Sequence, residues 1–345
     1  MGRTMHGNEA LALFRRGYNL DAVTEDYMND HYWRAISIDC IDPDYFPSIP
    51  LFVKTAGNYV LYKDAERKFT ASDRSRMDRT CTEFMYVRSG DMEEMAAYLE
   101  SGLKDLLSRD DLDSASKGRI LYQTSINYLV DAFEAPEQAA NLERCRQLVQ
   151  HMMSFVSNDR NALKSIQSVV SHNLYIFAHG VQVTALNLLA HEKLFNVAPD
   201  ELSDVGIGSL LHDYGMVFVT NDILQKPDAL SDVEYYKVKQ HAQKGYEFMK
   251  DSGMFNDVSL TIVRHHHERY DGNGYPAGIK GNDIPRSAQL SALCDVYSAL
   301  TLDRVYRKAT SHEEAIKMMR EESGGAFNPE LLQGFIELVT AQKAG

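Results

Sequence analysis

The side chains best suited to chemistry in this 345-residue chain are its histidines, and they are bunched. Eight of the 12 fall between positions 172 and 267, far more than even spacing would leave there. A lone histidine carries little information, so the case for a site rests on the set. His179 sits early in a helical stretch over 178–191, with Val183, Leu186 and Leu189 along its apolar side. His212-Asp213 closes an apolar helix ending at 211, where an imidazole and a carboxylate can converge on one ion. His241 follows 29 residues later, in a helix that starts near Ser231. His265, His266 and His267 run together before Glu268-Arg269. Asp295 falls in an apolar helix over 290–300, where an unpaired carboxylate is costly unless a cation offsets it.

Five imidazoles (His179, His212, His241, His266 and His267) and two carboxylates (Asp213 and Asp295) are too many for one tetrahedral ion. They suit two octahedral divalent ions sharing a carboxylate oxygen and a water. A mix of imidazole and carboxylate favours iron, with manganese as the alternative, over calcium or structural zinc. No thiolate is required. Cys40, Cys81, Cys145 and Cys294 are widely spaced, form no CxxC pair, and read as buried reduced thiols.

The elements that must position these groups are helical from about residue 110 to the end. A helix capped by Ser114 runs through Phe133, and another covers 137–155 with Leu142, Cys145, Leu148, Val149 and Met152 at helical spacing. This pair reads equally as a bundle, a linker or a dimer interface, and a homodimer is expected. Upstream lies a small α/β module. Leu51-Phe52-Val53 and 59–62 flank Ala56-Gly57-Asn58 as a hairpin, a polar helix starts at Ser72, Phe84 opens a third strand, and a helix covers 91–107. The first 45 residues read as a helical or irregular lead-in. The expected architecture is therefore mostly α, with an α/β regulatory or sensory module over 1–107, a helical connector over 108–160 and an all-α metal-dependent domain over 161–345.

Charge narrows the partners. With 49 acidic and 36 basic residues the formal net charge is −13, which argues against DNA or other polyanions held by a broad basic face. The start of the chain lacks the apolar core of a signal peptide, and no run is long enough to span a bilayer. A cytoplasmic location without membrane insertion is the expectation.

His212-Asp213, His266-His267-Glu268-Arg269 and Asp271-Gly272-Asn273-Gly274-Tyr275-Pro276, followed by Ile284-Pro285, Asp295-Val296, Arg304, Tyr306-Arg307 and Phe327-Asn328-Pro329, resemble the HD-GYP family over about residues 165–338. That family comprises HD-superfamily phosphodiesterases that hydrolyse the bacterial messenger cyclic di-GMP. The resemblance implies hydrolysis to linear pGpG, GMP or both by a metal-bridged hydroxide in a binuclear site. It implies one ion on His179, His212, Asp213 and Asp295, and a second on Asp213, His241, His266 and His267. His212 and Asp213 are the expected catalytic pair, and His265 is read as supporting or structural. Arg304 and Arg307 are expected on substrate phosphates, their alternative being surface pairing with Asp303 or Glu313. Tyr275 is expected beside the substrate, in a loop that either braces the His doublet or contacts partner signalling domains.

Two departures from the pattern bear on activity. Trinuclear members carry a glutamate where this chain has Tyr175, so two metals are expected rather than three. The family's lysine after the HD pair is Met216 here, which can neither donate a hydrogen bond nor supply charge. Either the enzyme is retuned, or another cation such as Lys226 substitutes, or catalysis is lost and the chain is a cyclic dinucleotide sensor acting through protein contacts. With every expected metal ligand present, an active phosphodiesterase is the favoured reading.

Overall fold

In the computed structural model the described residues are 33–43, 45–80, 82–134, 142–168, 175–224, 226, 228–302, 308–322 and 325–344. The amino-terminal part is a four-stranded antiparallel sheet of order β1-β4-β2-β3, built from β1 (Trp33–Ser37), β2 (Leu51–Thr55), β3 (Asn58–Lys63) and β4 (Phe84–Arg88). β2 and β3 form the expected hairpin through Ala56 and Gly57, both at positive φ as the tight turn requires. α1 (Ala71–Arg79) lies between β3 and β4, and its cap is Thr70, whose hydroxyl and Asp73 form a reciprocal capping box. The helix therefore begins one residue before the expected Ser72.

β1 corrects the reading of residues 33–37 as part of a helical or irregular lead-in. It pairs antiparallel with β4 from Trp33↔Arg88 to Ser37↔Phe84. Five residues with one buried aliphatic side chain give no two-residue alternation. Their strand conformation comes from the partner's edge, not from local preference. Residues 1–32 lie outside those described.

α2 (Met92–Ser108) buries Met95, Leu99 and Leu103, which join Ile36, Leu51, Met85 and Val87 of the sheet in one hydrophobic cluster. α3 (Ser114–Glu134) packs on α2 and on the helical body beyond, so one core runs unbroken from the sheet to the carboxyl-terminal helices. Its start is capped by Asp113, whose Oδ1 accepts from the Ser116 amide at 2.8 Å; the expected cap, Ser114, instead bonds Ser165 at 2.9 Å. α4 (Leu142–Asn158) follows, and the expected helical residues 137–141 lie outside those described. Cys40, Cys145 and Cys294 are free and buried, as expected.

The body continues with α5 (Ala162–Ser168), α6 (Tyr175–Ala190), α7 (Pro199–Leu210), α8 (Asn221–Leu224), α9 (Asp232–Ser252), α10 (Asp257–His265), α11 (Arg286–Thr301), α12 (His312–Glu322) and α13 (Pro329–Ala344). The Ser231–Glu234 capping box starts α9, and Gly253 at φ 68° ends it. Among the described residues no helix is long and apolar enough to cross a membrane.

The crossing of α7 and α10 matters most to the histidines, because α7 leads into His212-Asp213 and α10 into the His doublet. A glycine allows the approach. A Cβ on Gly208 would lie 2.7 Å from Ser259 Cα and 2.9 Å from its carbonyl oxygen, and the Ser259 hydroxyl donates to the Asp204 carbonyl at 2.7 Å. Gly208→Ala should therefore force the helices apart, costing about 1–3 kcal/mol in urea unfolding. An unchanged unfolding midpoint would show that the helices can slide without loss.

Candidate metal centre

Five helices converge on one buried spot. α6 presents His179, the turn after α7 presents His212 and Asp213, and α9 presents His241. The end of α10 presents His266 and His267, and α11 presents Asp295. His179, His212, Asp213, His241, His266 and Asp295 are all buried, and His267 is nearly so. Their ligand atoms fall into two groups that share one carboxylate. His179, His212 and Asp213 form the first group, and Asp213, His241, His266 and His267 the second. Asp295 joins at the rim, with Oδ1 at 2.8 Å from His179 Nε2 and Oδ2 at 3.6 Å from His267 Nδ1.

Backbone carbonyls fix how the imidazoles point. His212 Nδ1 lies 2.7 Å from the Ser209 carbonyl oxygen, His241 Nδ1 2.8 Å from that of Val238, and His266 Nδ1 3.0 Å from that of Val263. A ring nitrogen facing a carbonyl must carry the proton, so each Nε2 is left with a lone pair aimed inward. Side chains position His179. His179 Nδ1 lies 3.0 Å from the Ser298 hydroxyl, which donates to Gln182 Oε1 at 2.7 Å, and its Nε2 lies 2.8 Å from Asp295 Oδ1.

The result is a set of acceptors facing acceptors. His241 Nε2 and His266 Nε2 are 3.3 Å apart. Asp213 Oδ1 is 3.3 Å from His241 Nε2, and Oδ2 is 3.4 Å from His212 Nε2. His212 Nε2 and Asp213 Oδ1 are buried without any hydrogen bond. Lone pairs packed this way in a dry pocket repel unless positive charge lies between them. The donor set therefore fits divalent cations, with Asp213 as the group able to serve both halves.

Electrostatics agree. Burial pushes His241 and His266 below the usual imidazole range, reinforced at His266 by His267, His212 and His241. His267 is driven down to about 3, chiefly by burial, with Asp295 opposing. These three imidazoles are neutral at physiological pH. Burial also disfavours charge on His212, yet Asp213 and Asp295 outweigh it and lift its pKa to about 9. Burial acts against the Asp213 carboxylate too, but His212, His241 and His179 hold it well below the ordinary range. Without a cation, the pocket draws a proton onto His212 as a substitute.

The segment after the doublet folds back over the site. The Tyr275 ring lies 4.7 Å from that of His267, centroid to centroid, and its amide donates to the His267 carbonyl at 3.2 Å. Glu268 is buried, and its Oε1 accepts from the amides of Ala277 at 2.7 Å and Gly278 at 3.2 Å. Gly274 packs so closely on this segment that a Cβ there would lie 2.6 Å from the His267 oxygen. The loop therefore braces the doublet directly. His265 points elsewhere, with Nδ1 3.7 Å from Glu268 Oε1.

Met216 is buried in a separate apolar cluster with Val219, Ile223, Leu224, Leu230, Tyr235 and Val238. Lys226, the cation considered as a substitute, pairs with both carboxylate oxygens of Glu234, at 2.7 and 2.8 Å. Arg304, Arg307 and the side chain of Tyr175 lie outside the described residues. Sequence reasoning missed Ser298 and Glu268. Ser298 carried a usable signal, one helical turn after Asp295, whereas the role of Glu268 depends on a loop that returns to it.

A buried cluster of histidine and aspartate donors closing an all-α body is the design of an HD domain, and residues 165–331 match the HD domain family. The chain is 35% identical over 209 residues to the cyclic di-GMP phosphodiesterase PA4108 of Pseudomonas aeruginosa, covering 60% of this chain and 50% of that protein. It is 33% identical over 150 residues to the 3'3'-cGAMP-specific phosphodiesterase 2 of Vibrio cholerae, covering 43% of this chain and 28% of that one. The chain thus spans half or less of the length of these relatives. A solved HDG"Y"P protein of Bdellovibrio bacteriovorus, Bd1817, has the same fold, with a TM-score of 0.68 at 20% identity over 89% of this chain and 99% of that one. Over residues 165–331 the chain is thus similar to the HD domain family and to cyclic dinucleotide phosphodiesterases.

Because a cation must displace the proton on His212, metal binding should release protons. Titrating Mn²⁺ near neutral pH, in buffers of differing ionisation enthalpy, should show about one proton or more released per protein. Apparent affinity should rise with pH up to and through about 9, as His212 loses its proton, and fall in acid. Binding without proton release would contradict this reading of the pocket.

Proposed function

We propose that the chain is a metal-dependent phosphodiesterase that hydrolyses cyclic di-GMP to linear pGpG, GMP or both. The observation that carries this reading is the shared carboxylate. Asp213 stands between two groups of inward-facing imidazoles, the arrangement two-metal phosphodiester hydrolysis requires. The relatives' names supply the substrate class.

His179, His212, Asp213 and Asp295 would hold one divalent ion, and Asp213, His241, His266 and His267 the other. The imidazole-carboxylate set favours iron, with manganese next. Two such ions supply Lewis acidity toward phosphoryl oxygens and a nucleophile at neutral pH. The chain's own contributions are orientation and exclusion of water. Ser209, Val238 and Val263 aim three imidazoles through their carbonyls, and Ser298 aims the fourth. Tyr275 walls the His267 side with its flat ring, and burial raises its hydroxyl well above its usual pKa, so it meets an anionic substrate as a neutral phenol. Arg304 and Arg307 would hold substrate phosphates through bidentate guanidinium contacts. The α/β module would serve as the regulatory part of a cytoplasmic homodimer, with the GYP loop open to partner signalling domains.

Met216 motivates the rival reading, a sensor that binds without cleaving. Protein purified anaerobically and loaded with Fe²⁺ or Mn²⁺ should convert cyclic di-GMP to pGpG, GMP or both without consuming oxygen, as followed by anion-exchange chromatography. Asp213→Ala should lose metal and turnover together, the latter by at least about a thousandfold. Tight binding of cyclic di-GMP with no product would establish the sensor instead. Preferential cleavage of 3'3'-cGAMP would reassign the substrate within the same chemistry.

A further inference from the structure

Position 216 offers the site no charge, and most cations nearby are committed elsewhere. Lys226 is held by Glu234 and Arg269 by Asp271 at 2.8 Å, while Arg264 packs on the Tyr246 ring at 4.6 Å and bonds Gln243. Lys239 is different. It is partly buried on α9, two residues before His241, and no ion pair holds it among the described residues. Its ammonium lies 5.1 Å from the Tyr235 ring centroid and 5.8 Å from that of Tyr275. Tyr275 in turn lies against His267, so the ammonium stands one aromatic ring away from the metal-binding imidazoles.

Two phenol faces stabilise a cation without neutralising it, because a ring quadrupole carries no net charge. The two rings thus leave the Lys239 ammonium without a neutralising counter-charge, one ring away from the metal-binding imidazoles. A cyclic dinucleotide carries two phosphodiesters in one macrocycle. While one lies at the reacting centre the other remains anionic, and a cation within reach of it stabilises the bound macrocycle beyond what the groups holding the first supply. Mounted on a helix and packed between rings, the ammonium loses little conformational freedom on binding.

We propose that Lys239 binds the phosphodiester that is not being cleaved, making it a specificity-determining residue for cyclic dinucleotides. This rests on the phosphodiesterase reading above. Tyr235 and Tyr275 act as positioning residues that hold the ammonium between them.

The test compares wild type, Lys239→Met and Lys239→Arg as full-length, Mn²⁺-loaded protein, with cyclic di-GMP as the probe. Lys239→Met should raise KM about tenfold or more, the effect of losing one charge-assisted contact, while kcat stays within about twofold. Lys239→Arg should recover most of the affinity. KM of the wild type should rise more steeply with salt than that of Lys239→Met. Metal content and Tm, measured on the same samples, should match across the three. Equal KM for wild type and Lys239→Met, or a loss that tracks lost metal, would overturn the assignment. If the wild type shows no turnover, the hydrolase reading fails. Calorimetric binding of cyclic di-GMP then decides the role of Lys239, with equal affinity in Lys239→Met refuting it.

Discussion

Repulsion between acceptors governs this molecule. In the centre of the helical body, imidazole nitrogens and carboxylate oxygens that would avoid one another in water are held 3.3–3.4 Å apart with burial on every side. Folding the chain brings these lone pairs together, and only positive charge makes the arrangement favourable. A proton on His212 offsets part of the cost, and a pair of divalent cations would offset more. Metal binding and folding of the body are thereby coupled.

Much of the surrounding architecture serves to aim these atoms. The carbonyls that orient His212, His241 and His266 belong to residues three positions earlier in the chain, so local helical geometry sets each tautomer at no further cost in ordering. The helices then have only to be brought together. The close approach at Gly208 sets the α7–α10 distance, and Glu268 ties the loop carrying Tyr275 back onto the doublet. The amino-terminal sheet is joined to this body through α3, whose buried Ile120 and Leu121 share a core with both. Displacement of the sheet would meet resistance along a continuous packed path that reaches the centre.

The sequence was most legible where chemistry dictates residue type. His179, His212, Asp213, His241, His266, His267 and Asp295 were recognisable because few other side chains bind divalent ions, and the fold brings all seven together. The hairpin at Ala56-Gly57 and the helix start near Ser231 were legible for a similar reason, since each rests on a local motif complete within a few residues. Features that depend on distant partners were not. β1 is a strand because β4 lies beside it. Asp113 displaced Ser114 as a cap because Ser165 offered that serine a different bond. Met216 could be noted as a departure from pattern, but only the packed structure shows its side chain absorbed into an apolar cluster. Lys239 carries no signal in the text at all, and its interest comes from two tyrosines that approach it in space.

The claim that one carboxylate serves two cations is open to direct observation. Crystals of anaerobically loaded protein, measured at the absorption edge of iron or manganese, should show two anomalous peaks, one on each side of Asp213 and both in contact with it. One peak alone, or two that leave Asp213 untouched, would contradict the account.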